Sequence, residues 1–155
     1  MARLHFSPRG MLAQSTTNVL LGEGPVEPIP QHIIPLSGPE ETFTFGNVTV
    51  ARHTSGLRLA LPDAVIEYLQ NAPKKPTLHA CNVLVLAPSV PAERLLQVIK
   101  PRLAILHSGS LERARELQKM TGVQTIASGE HTVIDIADYN ALSNQQKLSA
   151  FTAAF

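Results

Sequence analysis

Leu103-Ala104-Ile105-Leu106-His107-Ser108-Gly109, continued through Ser110 to Ala127, is the stretch on which the reading of this chain turns. Four apolar residues followed by a polar corner are the pattern of a strand buried on both faces that ends in a loop. Ser110 suits an N-cap, because its hydroxyl can accept an amide proton that the first helical turn leaves unpaired. Glu112 adds negative charge at the same end. Leu111, Ala114 and Leu117 recur at helical spacing, while Arg113, Arg115, Glu116 and Lys119 cover the wet side. Gly122 supplies the left-handed stop. Val123 to Ala127 reads as the next strand, so strand, helix and strand imply parallel pairing with a right-handed crossover.

Upstream the same alternation repeats. Asn82-Val83-Leu84-Val85-Leu86-Ala87 is another continuous apolar run. Pro91 fits a helix's first turn, Glu93 complements the dipole there, Leu95, Leu96, Val98 and Ile99 form a stripe, and Pro101 ends it. Downstream, Thr132 to Ile136 reads as a last strand after the turn Ser128-Gly129-Glu130-His131, where His131 is expected to be exposed. Ala141 to Phe155 resembles a short amphipathic helix carrying Leu142, Leu148, Phe151 and Phe155.

Before Asn71 the character is β. Ala2 to Phe6 and Thr16 to Leu21 are candidate strands, separated by the turn cluster Ser7-Pro8-Arg9-Gly10. Pro25, Pro28, Pro30, Pro35 and Pro39 make the next stretch an extended connector in which only His32-Ile33-Ile34 could pair as an edge. From Thr42 to Leu69 the alternation of Phe43/Phe45, Val48/Val50 and Leu57/Leu59/Leu61, punctuated by turns, predicts an antiparallel meander. The organisation expected is one domain over 1–155: a β-rich region over 1–70, a βαβα-type region over 77–137 and a helical tail over 141–155. The fold class is α/β (α+β), with mixed β-sheets and helices packed on their outer faces.

Composition bounds the function. The chain has 155 residues, 44% hydrophobic and only 16% charged, which suits a folded core and argues against disorder. Thirteen basic against twelve acidic residues leave a formal charge of +1 and no basic run, so no footprint for nucleic acid is visible. One cysteine, Cys81, excludes an intrachain disulfide and a cysteine-rich zinc site, and it reads as a half-buried structural thiol. No segment approaches the ~20 apolar residues of a membrane span, and the N-terminus lacks a signal peptide's apolar stretch. A cytoplasmic protein without a membrane partner is expected.

Leu103 to Gly109, the helix after it, and Thr121-Gly122-Val123-Gln124-Thr125-Ile126-Ala127 resemble the C-terminal segment of metallo-β-lactamase-fold hydrolases. In that family a strand ends in a metal-binding His, and a helix and a T-G-V-x-x-I-A strand follow; Val133-Ile134-Asp135-Ile136 matches the final strand. Val48 to His53 resembles the strand bearing the mid-chain His ligand, and Gly56 to Leu69 the hairpin after it. Leu4-His5-Phe6 with Gly10, and Asn18 to Pro25, look like the first two strands. The resemblance implies a reduced metallo-β-lactamase-like sandwich. It also exposes losses: nothing matches the family's H-x-H-x-D-H motif, and the bridging Asp aligns with Asn71, a neutral amide.

By this resemblance only His53 and His107 correspond to metal ligands. A catalytic zinc normally takes three protein ligands plus a water whose pKa falls toward ~7. A third would have to come from His5, His32, His79, Asp63 or a symmetry mate, and none of these stands at ligand spacing. Asn71 and Ser108 are expected to line the residual cleft with the two histidines. Three functions follow. The first is a non-catalytic interaction or self-associating module, a homo-oligomer or the partner of another protein, its uncovered sheet face buried by association and no cofactor required. The second is a metal-dependent hydrolase with a mononuclear zinc site at His53 and His107. The third is a small-ligand binder using the cleft.

Overall fold

The computed structural model describes residues 2–129 and 132–136. The expected tail helix and His131 lie outside them. Among the described residues, twelve strands and two helices follow in the order β1 Arg3–Ser7, β2 Gly10–Gln14, β3 Asn18–Gly22, β4 His32–Ile34, β5 Glu41–Phe45, β6 Val48–His53, β7 Gly56–Ala60, β8 Val65–Leu69, β9 Val83–Leu86, α1 Glu93–Ile99, β10 Leu103–His107, α2 Leu111–Thr121, β11 Thr125–Ser128 and β12 Val133–Asp135. A 3-10 turn, Pro76–His79, interrupts the β8–β9 connection.

The strands form two sheets. One runs β12-β1-β2-β3-β4 and the other β11-β10-β9-β8-β7-β6-β5. The expected meander is present: β5 through β8 pair antiparallel in sequence order. Beyond it β8, β9, β10 and β11 are parallel, as their connections require. Two features differ from the sequence reading. Gly10–Gln14 is a strand of its own, β2, paired with β1 through a two-residue turn at Pro8-Arg9. And β12 leaves the second sheet to pair antiparallel with β1, Leu4 opposite Ile134.

Period-two alternation assigns side chains to faces. Leu4, Phe6, Met11, Val19 and Leu21 from one sheet meet Val50, Leu57, Leu59, Ile66, Val85 and Ile105 from the other in a buried interlayer core. The opposite face of β9 and β10 (Leu84, Leu86, Ala104, Leu106) packs with Leu69 against Leu95 and Leu96 of α1 and Ala114 and Leu117 of α2. The helix ends match their sequence signals: the Ser110 hydroxyl accepts the Arg113 amide at 3.1 Å, and Gly122 stops α2 at φ 74°.

Among the described residues both helices cover the seven-stranded sheet only. Across the outer face of the five-stranded sheet runs a cross-strand row, Val133, His5, Leu12, Leu20 and Ile33, each opposite the next. Its middle, Leu12 and Leu20, is buried; its ends on the edge strands, Val133 and Ile33, are 51% and 64% exposed.

Candidate functional site

Two polar clusters are built into the seven-stranded sheet, one on each face, and consecutive residues of β8 anchor them. Glu67 points to the outer face and Tyr68 to the interlayer core, because neighbours on a strand face opposite ways.

On the inner side, His107 closes β10 and is buried. Its Nε2 lies 2.7 Å from the carbonyl oxygen of Ser7. A carbonyl only accepts, so Nε2 carries the proton and Nδ1 is left as an acceptor. The Tyr68 hydroxyl meets Nδ1 and donates to it. Burial pushes the Tyr68 phenol up to about 12, which keeps that donor protonated. Burial also lowers the His107 pKa from its ordinary value, against a smaller upward pull from the Ser7 carbonyl. Phe6 and Tyr68 flank the ring, with centroids 5.7 and 5.5 Å away. The imidazole is thus neutral with both nitrogens engaged.

On the outer face Glu67, wholly buried, is the hub. Its Oε2 accepts from Arg58 Nη1 at 2.8 Å, and Arg58 Nη2 reaches on to the Ala80 carbonyl at 2.9 Å. Its Oε1 takes His53 Nε2 and, at 3.1 Å, His79 Nδ1. The Ser55 amide donates to His53 Nδ1 at 3.1 Å, so Nε2 bears the proton that faces Glu67. Arg58 and Glu67 stand directly opposite in the β7–β8 register, while the 3-10 turn brings His79 over the sheet. Among the described residues, His53, Glu67 and His79 are the three metal-ligating side chains that gather, with ligand atoms within 4.8 Å of one another. Cys81 lies beside them. Its thiol is pushed up to about 12, by burial first and then by the Glu67 charge, so it stays protonated and inert, as the half-buried structural reading expects.

The structure does not bring His53 and His107 together. They occupy opposite faces of one sheet, with β7, β8 and β9 between their strands. At ~4.8 Å per strand that is roughly 19 Å, far beyond a shared ion. Asn71 and Ser108 follow strands separated by β9, and both are exposed. Ser108, at φ 55°, donates its hydroxyl to the Pro8 carbonyl at 3.0 Å. Asn71 is held through its backbone amide to Ser55. Of the candidate third ligands, His79 joins His53. His5 bonds Gln14 at 2.7 Å on the other sheet, and His32 stacks on Phe45. Glu67, Arg58 and Tyr68 were missed by motif reading. The available signal was local: a carboxylate inside the apolar run Val65 to Leu69, one hairpin away from an arginine inside Leu57 to Leu59.

The metal that the fold family implies can be tested against His107. A ligating imidazole offers a bare nitrogen to the ion and donates from the other. Here the one bare nitrogen already accepts the Tyr68 hydroxyl, and the Phe6 ring lies tilted against the imidazole. These residues do not fit a metal at that strand end. A separate cavity of about 940 Å³ opens against the five-stranded sheet, with Arg3, His5, Gln14, Glu23 and Val133 in its wall.

No protein-family model and no curated protein sequence matches the chain. Among solved structures it is similar to the metallo-β-lactamase fold protein YhfI from Bacillus subtilis, with a TM-score of 0.55 and 10% identity, covering 81% of this chain and 90% of that one. A likeness at that identity speaks for architecture alone. With two mixed sheets face to face and two helices on an outer side, the chain has the metallo-β-lactamase-like sandwich fold.

Proposed function

We propose that this chain is a non-catalytic metallo-β-lactamase-like protein that works by association, most simply with a second copy of itself. The observation that carries the reading is the Tyr68 hydroxyl donated to His107 Nδ1, which occupies the one nitrogen that a strand-end zinc ligand would offer. The row from Val133 to Ile33 supports the second half. Its two exposed apolar residues, Val133 and Ile33, sit on β12 and β4, the outermost strands of that sheet among the described residues, and sheet edges are where a second chain adds. A two-fold contact would repeat the same patch on both copies.

Sedimentation velocity across a hundredfold concentration range tests this together with ester, phosphoester and lactam hydrolysis. The expected result is a concentration-dependent dimer that Ile33→Glu weakens, with no turnover above buffer. A monomer at every concentration, or turnover abolished by His107→Gln, would overturn it.

A further inference from the structure

We infer that His53, Glu67 and His79 form a binding site for one divalent transition-metal cation of zinc's class, placed on the outer face of the seven-stranded sheet. Such an ion would clamp the 3-10 turn to the strands beneath it. The site is separate from the His107 position and independent of the association reading above.

The donor set carries the argument. Two imidazoles and one carboxylate are borderline ligands that favour zinc, nickel or iron(II) over calcium or magnesium, which prefer oxygen donors. They come from three segments, β6, β8 and the 3-10 turn, yet their ligand atoms already lie within 4.8 Å of one another. Tetrahedral coordination at roughly 2.0–2.2 Å asks these atoms to sit about 3.3 Å apart, within the reach of small side-chain rotations. Arg58 holds Oε2 of Glu67 at 2.8 Å, leaving Oε1 as a single oriented ligand, the outer-shell support usual for metal-binding carboxylates. His53 and His79 are 25% and 16% exposed on their side chains, so an ion has a way in.

Two features oppose binding, and both set its strength. The Arg58 cation repels an incoming dication. The Ser55 amide occupies His53 Nδ1, where the ring must place its proton once Nε2 turns to the metal. The nitrogen that meets the ion must be bare, so the ring proton that faces Glu67 has to pass to the other ring nitrogen. For His53 this sacrifices the 3.1 Å bond from Ser55, a loss of roughly fivefold in affinity.

The test uses the full untagged chain, stripped with chelator and dialysed, then titrated with cobalt(II) and with zinc(II). Expected are one cobalt per chain with the visible absorption of a tetrahedral site, displacement by zinc, and a higher thermal midpoint. At a zinc concentration about one hundred times the dissociation constant the folded-to-unfolded ratio rises about a hundredfold. His79→Ala, on the partly open turn, should fold and lose at least a hundredfold in affinity, as should Glu67→Gln if it folds. His5→Ala and His107→Gln should bind as the parent does. No cobalt band and no zinc-dependent midpoint, or binding that survives His79→Ala, overturns the site. In that case the cluster is a metal-free clamp around Glu67, while the association reading stands or falls on its own sedimentation result.

Discussion

Tyr68→Phe removes one oxygen atom and leaves the ring in place, so it isolates the bond on which the account of His107 depends. The wild-type hydroxyl donates to His107 Nδ1 in a buried contact between the sheets. Without it, Nδ1 has no donor and water has no access, and an unsatisfied buried acceptor costs about 1–3 kcal/mol. Taking about 2 kcal/mol and a urea slope of about 2 kcal/mol per molar, the denaturation midpoint should fall by about 1 M. His107→Leu supplies the other arm of a double-mutant cycle, and the coupling should exceed about 1 kcal/mol because the two groups are mutual partners. Nitrogen-15 spectra should show the parent His107 protonated at Nε2 and bare at Nδ1. A cost below about 0.3 kcal/mol, or strict additivity with His107→Leu, would refute the pairing and make His107 a free ligand again.

Other consequences follow from the same geometry. Because burial lowers the His107 pKa in the fold, the unfolded chain binds more protons once pH drops below about 6.5; stability present above that value is lost on the way down, at no more than about 1.4 kcal/mol per pH unit. His107→Gln should flatten that region of the profile, and superimposable pH curves for the two proteins would contradict the assignment. Arg58→Met strips the cation from a wholly buried Glu67 and should cost about 3–5 kcal/mol by denaturation, with Arg58→Met/Glu67→Met recovering much of it. Gly56→Ala would drive a methyl carbon into the Tyr68 carbonyl oxygen, well inside van der Waals contact, and should cost more than about 4 kcal/mol or prevent folding. Ser110→Ala, losing the cap on the Arg113 amide, should lower stability by about 1 kcal/mol.

Much of the architecture was legible because its signals are local. The apolar runs Val83 to Leu86 and Leu103 to Leu106, each followed by a helix with its own start and stop residues, dictate parallel strands with crossovers, and the alternation from Phe43 to Leu69 dictates a meander. Gly10–Gln14 escaped because Gly-Met-Leu-Ala-Gln has no polar alternation; Leu12 is buried too, beneath the outer face rather than in the core. The transfer of β12 to the other sheet is a long-range choice that no short pattern records. The site was less legible. His53 and His107 both end strands, but which face each occupies depends on register across five strands. A family likeness at two histidines carries no such information. His79 became a neighbour of His53 only through a 3-10 turn between Ala72 and Asn82, a segment with little periodicity to read.

The opposed placement of Glu67 and Tyr68 also bears on how the chain avoids misfolding. If β8 paired one residue out of step, every side chain on it would change faces. The carboxylate would enter the apolar layer among Leu59, Val85 and Ile105 without Arg58, and the phenol would leave His107 unpartnered. An unpaired charge in such a layer is penalised by several kcal/mol, enough to hold that misalignment below roughly one molecule in a thousand. Strand β8 therefore proofreads its own alignment, and the central strand of the larger sheet has a single register it can keep.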